Sequence, residues 1–403
     1  MKIAVPRETA DGETRVALTP PTAAQLVGDG VEVLVQAGAG DGSFIRDEEY
    51  RDAGATVVPD APSLYGQADM VLRVGRPSNE EIEMLRPGTV LVGTLGTLGN
   101  PKLAERLASA GITAISMDAI PRITRAQSMD SLSSQSTVGG YKAVLIAAER
   151  LPKFFPLLTT AAGTVRPARV LVFGAGVAGL MAIGTARRLG AVVEATDVRP
   201  VVKEQVQSLG GTFLEVEMTD EEKAQAETSG GYAREMSEDY KRRQADLIAS
   251  RVGDADAVIT TALIPGRPAP RLVTEEMVKT MRPGSVIVDM AAEAGGNCEL
   301  TEPGREVVKH GVRIIGLTNL PASMPAHASQ MYAKNVQTLV KHLVRDGKLT
   351  LDFDDEITRG ATITHGGKVV HEPTAKALGI EPATPSAPEM TDAPAPAGEK
   401  HGA

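Results

Sequence analysis

The chain of 403 residues has one cysteine, Cys298, no tryptophan and only 3% aromatic residues. A single thiol excludes an internal disulfide framework and fits a reducing compartment. With so few aromatics, the cores must be built from Val, Leu, Ile and Ala. Histidine is scarce too: all six lie at or beyond His310, in no ligand-type spacing, so no metal site is expected. Acidic residues outnumber basic ones, 51 to 42, for a net charge of −9. That balance argues against nucleic acid as a partner, because phosphate backbones need a basic face. No stretch approaches the ~18 uninterrupted apolar residues of a membrane span. The opening MKIAVPRETADGE reaches Glu8 and Asp11 without an apolar core, so no signal peptide is expected. What is present, 42% hydrophobic and 23% charged residues, is ordinary for a globular protein, and the length suits two domains.

The most informative run is VLVFGAGVAGLMAIGTARRLGAVVEATDVR, residues 170–199. An apolar strand leads into Gly174, Gly176 and Gly179, spaced G-x-G-x-x-G, and then into a helix and a second strand ending on Asp197. Each glycine has a physical job in gripping a dinucleotide. Gly174 allows the sharp turn out of the strand, Gly176 lets a pyrophosphate approach the backbone, and Gly179 lets the helix pack close to the strand. The helix N-terminus offers free N–H groups and a positive dipole to the phosphates. Asp197 stands where a carboxylate accepts hydrogen bonds from the adenosine ribose, which favours NAD over NADP; the nearby Arg199 is the kind of residue that receives a 2′-phosphate.

Strand-like apolar segments alternate with amphipathic ones along the rest of the chain. In the first part they are Lys2–Val5, Val31–Val35, Met70–Val74, Thr89–Gly93 and Thr113–Met117, with helices such as Pro20–Leu26 and Lys102–Ala110 between them. In the second part they are Arg169–Phe173, Val192–Thr196, Thr212–Val216, Ala257–Thr261, Ser285–Met290 and Arg313–Leu317. Such alternation predicts an α/β protein of two Rossmann-like, doubly wound parallel-sheet domains. A long helix from Thr137 and a second over Ala328–Val344 join them, so the chain crosses between domains twice and leaves a cleft. The expected division is 1–136 with 322–380 as the first domain and 137–321 as the second. Residues 217–245 form a charged insert centred on Ser229-Gly230-Gly231-Tyr232, which reads equally as a solvated helix pair or as a mobile lid. The end, 381–403, is rich in Ala and Pro and is expected to be disordered.

The segment PRITRAQSMDSLSSQS, residues 121–136, is unusual for a domain joint. Arg122, Gln127, Asp130 and Ser133 offer a guanidinium, an amide, a carboxylate and a hydroxyl. A nicotinamide carboxamide needs an acceptor such as Asp130 for its NH₂, and a donor such as Arg122 or Ser133 for its C=O. A polar loop with capping serines explains the same residues.

With TAAGTVRPARVLVFGAGVAGL, the GGYA insert, TTALIPGRPAP and AAEAGGNCELTEPG, this segment resembles the proton-translocating NAD(P) transhydrogenases, in particular their peripheral NAD(H)-binding component. The likeness runs from Met1 to about residue 375. The chain is similar, more distantly, to the alanine dehydrogenases, which share the GETRVALTP opening. The resemblance implies that Arg122, Gln127, Ser128, Met129, Asp130 and Ser133 surround the nicotinamide of NAD(H), with Gln127 also reaching toward NADP(H) on a partner component. It implies that Gly174, Gly176, Val177, Ala178 and Gly179 hold the pyrophosphate, and that Asp197, Val198 and Arg199 meet the adenosine. It places Gly231 and Tyr232 on a mobile loop and Leu263 against the coenzyme. It further implies a cytoplasmic homodimer, peripheral to the inner membrane. There it would dock on the NADP(H)-binding domain of a beta subunit above membrane-spanning subunits, and pass hydride from NADH to NADP⁺ as protons cross.

Two other readings stay open: a self-contained amino-acid dehydrogenase of the alanine dehydrogenase kind, and an NAD-binding module that catalyses nothing. An amino-acid dehydrogenase must move a proton and so needs a placed acid or base. In alanine dehydrogenase a histidine after the fourth strand serves; here the matching stretch, VLVGTLGTLGN, has none. The Lys that binds the substrate carboxylate there is expected to be replaced by Arg73, while Arg15 survives. Hydride exchange between two nicotinamides moves no proton at the reacting carbons and needs only positioning.

Overall fold

The computed structural model describes residues 1–216, 238–264 and 266–385. Two parallel sheets organise it. In the first, six parallel strands lie side by side in the order Thr56–Val58, Glu32–Gln36, Lys2–Val5, Met70–Leu72, Val90–Gly93 and Thr113–Ser116. Numbered along the chain, that is 3-2-1-4-5-6, the doubly wound order. The hairpin Thr362–His365 and Lys368–Val369 extends this sheet antiparallel beyond Thr113–Ser116. The second sheet repeats the order with Thr212–Phe213, Val192–Thr196, Arg169–Phe173, Ala257–Thr260, Val286–Asp289 and Val312–Ile315, and adds Glu306–Lys309 antiparallel at its edge.

The strands are apolar on both faces because both faces are covered, as parallel sheets require. Ile3, Val33, Val90 and Val92 face one core, while Ala4, Leu34, Leu91 and Ala114 face another on the opposite side. The second sheet does the same, with Val170, Val172 and Ile259 on one face and Leu171, Phe173 and Val258 on the other. Aliphatic side chains carry almost all of this burial, as the shortage of aromatics requires.

Three sheet elements escape the sequence pattern. Thr56–Val58 is only three residues long, Glu306–Lys309 carries polar residues on an exposed edge, and Thr362–His365 alternates buried threonines with Ile363. The joining helix also begins earlier than Thr137: it runs Ser131–Arg150, and Asp130 caps it by accepting the Ser133 N–H at 2.9 Å. A serine-rich run reads as a loop, but an Asp at the cap position satisfies the free N–H groups and lets serines occupy the first turn. The return helix spans Pro325–Leu343 and buries Tyr332, Val336, Leu339 and Leu343 in the same core as Ile3 and Val5. Of the charged insert, residues 217–237 lie outside the described residues, and 238–245 open the helix Glu238–Asp254. Gly231, Tyr232 and most of the Ala/Pro-rich end lie outside them as well.

The joining helix meets the helix Val177–Arg188 backbone to backbone. A Cβ at Gly140 would lie 2.2 Å from the carbonyl oxygen of Ala178. Gly140→Ala is therefore expected to force the two helices apart and lower the unfolding free energy by about 1–3 kcal/mol. The control Gly28→Ala, at a helix end with nothing within 4 Å, is expected to be neutral. Urea unfolding of both variants checks this.

Candidate functional site

The glycine turn is built as its spacing suggests. Gly174 turns the chain out of the strand Arg169–Phe173 with φ +94, a conformation that side chains rarely adopt. A Cβ at Gly174 would also stand 2.5 Å from the Thr261 hydroxyl. At Gly179 a Cβ would lie 1.8 Å from the carbonyl oxygen of Gly174, so only glycine lets the helix start this close to the strand. Gly176 differs. It is the N-cap of the helix Val177–Arg188, and the nearest atom to its missing Cβ is the Arg199 Nη2, 4.0 Å away. Its face is thus open toward a helix N-terminus, a cradle that fits a pyrophosphate. Val177 is exposed and Ala178 lies half-buried beside it.

Asp197 ends the next strand and faces this turn. Its Oδ2 accepts the Ala175 N–H at 2.7 Å and Arg199 Nη2 at 3.0 Å, and its Oδ1 accepts the backbone N–H and Nε of Arg199. Burial pushes this carboxyl up, but those hydrogen bonds and the Arg199 charge outweigh it and hold the group below the usual carboxylate range. Asp197 is therefore ionised at neutral pH. Val198 and Leu263 are exposed at 91% and 56%, leaving apolar surface on either side of the turn. Behind Leu263 the fully buried Asn297 donates to the carbonyl oxygens of Ala262 and Pro270 and accepts the Ala262 N–H. Asn297 lies in the run AAEAGGNCELTEPG, but no spacing marks it as a bridge; that role is visible only once the two loops are brought together.

The second cluster lies at the start of the joining helix. Thr124–Met129 forms a 3-10 turn in which Gln127 and Ser128 are exposed and Met129 is buried in the first core. Arg122 is exposed just before it. Asp130 and Ser133 bond to each other: Asp130 Oδ2 accepts the Ser133 hydroxyl at 2.6 Å. The capping role of Asp130 is thus realised, and its oxygens keep further lone pairs for a ligand donor. Gly140, which touches Ala178 beside the glycine turn, lies seven residues after Ser133, about 10 Å along the helix. One rigid helix therefore sets the spacing between the two clusters. The loop after the strand Val90–Gly93 approaches from the first sheet, and Leu98 lies against Gly266 of the second.

Arg73 does not stand where a substrate carboxylate would meet it. It is fully buried and paired to Glu8 at 3.1 Å and Glu81 at 2.5 Å, and it donates to the Tyr65 hydroxyl at 2.9 Å. Burial works against its charge, but these partners outweigh that and hold it protonated. The expectation that Arg73 replaces a substrate-binding lysine is corrected: it belongs to the interior, because three anionic or phenolic partners close around it. Arg15 is likewise engaged, by Glu13, Gln135 and Asn319. Glu13, Gln135 and Asn319 are not legible as a group in the sequence, being spread across some three hundred residues. Among the described residues no group of three or more His, Cys, Asp or Glu is placed to hold a metal ion, and no helix is long and apolar enough to cross a membrane.

Comparison with known proteins places this architecture. Residues 4–139 match the family description "Alanine dehydrogenase/PNT, N-terminal domain" and residues 143–372 its C-terminal domain. A Rhodospirillum rubrum protein named as the first portion of NAD(P) transhydrogenase subunit alpha is 52% identical over 378 residues, covering 92% of this chain and 98% of that protein. Alanine dehydrogenase of Bacillus subtilis is 32% identical, covering 94% of this chain and 96% of its own. The crystal structure of transhydrogenase from Sinorhizobium meliloti superposes with a TM-score of 0.84 at 46% identity, covering 92% of this chain and all of that one.

The Arg73 cluster gives a direct test of the interior. Arg73→Met leaves Glu8 and Glu81 buried without their cation, and is expected to lower the unfolding free energy by about 3–5 kcal/mol in urea titrations.

Proposed function

Because this chain belongs to the alanine dehydrogenase/PNT family, we propose that it is the NAD(H)-binding component of a proton-translocating transhydrogenase. Bound NADH supplies the hydride, which passes to NADP⁺ held by a partner component. The chain's own residues bind and aim. The open backbone at Gly176 and the helix N-terminus receive the pyrophosphate. Asp197 takes the adenosine ribose, in part exchange for Arg199. Arg122, Asp130 and Ser133 fix the carboxamide, and Gln127, exposed on its turn, faces the partner. Val177, Ala178, Val198, Ser128, Met129 and Leu263 complete the walls, with Gly231 and Tyr232 assigned to the covering loop.

The observation that carries this reading over its nearest rival is the state of the two guanidinium groups. A keto acid or amino acid needs a free cation for its carboxylate and an acid or base for its proton. Arg15 and Arg73 are both consumed by internal partners, and the stretch Val90–Asn100 contains no histidine. A hydride exchange between two nicotinamides requires neither. We assign residues 1–136 with 322–380 to one domain and 137–321 to the other, a homodimeric arrangement, and a cytoplasmic position on membrane subunits that carry the protons.

The deciding experiment mixes this protein with an NADP(H)-binding transhydrogenase component and follows transfer from NADH to an oxidised NADP analogue. Turnover that requires the partner is expected. Turnover of alanine or pyruvate by this chain alone overturns the proposal, and tight NADH binding with no transfer to any partner leaves a binding module. Within the active mixture, Gln127→Asn is expected to lower the rate at least ~10-fold with NADH affinity changed only a few fold, since small misplacements are costly. Asp197→Ala is expected to weaken NADH binding and, by releasing Arg199 to a 2′-phosphate, to narrow the preference for NADH over NADPH. Fluorescence titration with both coenzymes reads that preference.

A further inference from the structure

We propose that Arg15 is a positioning residue that sets the nicotinamide-fixing turn by tying together both crossings between the domains. The inference rests on reading Asp130 and Ser133 as that turn. Arg15 leaves the first domain on the loop after Lys2–Val5, and its side chain is only 11% exposed. Its Nε and Nη2 donate to both oxygens of Glu13, at 2.8 and 2.6 Å, which holds the guanidinium plane in place. Its Nη1 donates to Gln135 Oε1 at 2.8 Å, two residues past Ser133 on the outgoing helix. Its Nη2 also donates to Asn319 Oδ1 at 3.0 Å, on the returning connection. Asn319 donates in turn to Glu13 Oε2 at 3.0 Å, and its backbone N–H donates to Glu293 at 2.7 Å.

The two crossings also touch each other, because Gln135 Nε2 donates to the carbonyl oxygen of Ala328 on the return helix at 3.1 Å. The neighbouring Thr14 hydroxyl donates to the carbonyl oxygen of Ala322 at 2.5 Å. Glu13 is ionised: burial pushes its carboxyl up, but Arg15 outweighs it and holds the group below the usual range. Arg15 is thus a node whose far ends are the first turns of one interdomain helix and the entry to the other. Asn319 holds a left-handed backbone, φ +50, which an asparagine tolerates better than most residues. A helix start displaced by a fraction of an ångström carries Asp130 and Ser133 with it, and the hydride step is the quantity most sensitive to such a shift.

A merely structural node changes stability alone; a positioning node changes the rate at saturating NADH while leaving affinity in place. Arg15→Met is expected to lower partner-dependent hydride transfer at saturating NADH at least ~10-fold, with NADH affinity within ~3-fold. Asn319→Gly relieves the left-handed backbone and removes one arm of the node. It is expected to remain as stable as the parent and still slow the transfer several fold. If Arg15→Met does not fold, Asn319→Gly decides. Transfer within two-fold of the parent in every variant that folds overturns the proposal, as does an affinity loss that accounts for the whole rate loss. If the parent itself transfers no hydride, the functional reading fails separately. The node is then read by hydrogen exchange, where Arg15→Met must speed exchange over residues 131–137 more than in either sheet, and equal exchange overturns it.

Discussion

Two backbone contacts without intervening side chains fix the geometry on which everything else depends. At Gly179 the helix Val177–Arg188 presses on the turn that precedes it, and at Gly140 the joining helix presses on the carbonyl oxygen of Ala178. Protein interiors are packed tightly enough that such approaches cannot be regained once a methyl group intervenes. The consequence is that strand, turn and two helices form one rigid block, and the carboxylate and hydroxyl at Asp130 and Ser133 inherit their distance from the glycine turn through it. Under the proposed function, in which the chain only holds and aims a coenzyme, this kind of rigidity matters more than reactive groups.

The polar interior complements that rigidity. Arg73 is surrounded by Glu8, Glu81 and Tyr65, and Asp289 accepts from Thr260, Thr301 and the N–H groups of Ala291 and Cys298. Removing one partner from a buried ion pair is strongly destabilising, because the other is left uncompensated. Arg73 follows the strand Met70–Leu72 and Asp289 ends the strand Val286–Asp289, at the C-terminal ends where open α/β sheets present their ligand crevices. These charged groups are engaged by the protein itself, so under the proposed function recognition falls to backbone, to Asp197 and to the short polar turn.

Legibility in the sequence follows physical lines. The glycine turn is readable because three positions with different steric demands sit within six residues and are flanked by a strand and a helix. The parallel strands are readable because they are buried on both faces and therefore continuously apolar. The edge hairpin at Glu306–Lys309 and the three-residue strand Thr56–Val58 are not, because edge strands carry polar residues and short ones give no period. The start of the joining helix escapes notice because a capping Asp hides a helix inside a run of serines. The node around Arg15 is invisible for a different reason: its members are far apart in sequence, and no local pattern joins Glu13 to Asn319. Arg73 shows the converse, since a cation at a strand end reads as functional until its buried partners are known.

The return helix and the hairpin after it have a further consequence. The first core, begun by Ile3 and Val5, is finished only by Tyr332, Leu339 and Leu343, and its sheet gains its last strands from Thr362–Val369. A nascent chain leaving the ribosome can complete the second sheet while the first still lacks a wall. Synthesis at about 5–20 residues per second leaves that gap open for many seconds. The strands of the first sheet are therefore made early and sealed late, and their apolar faces stay uncovered longest.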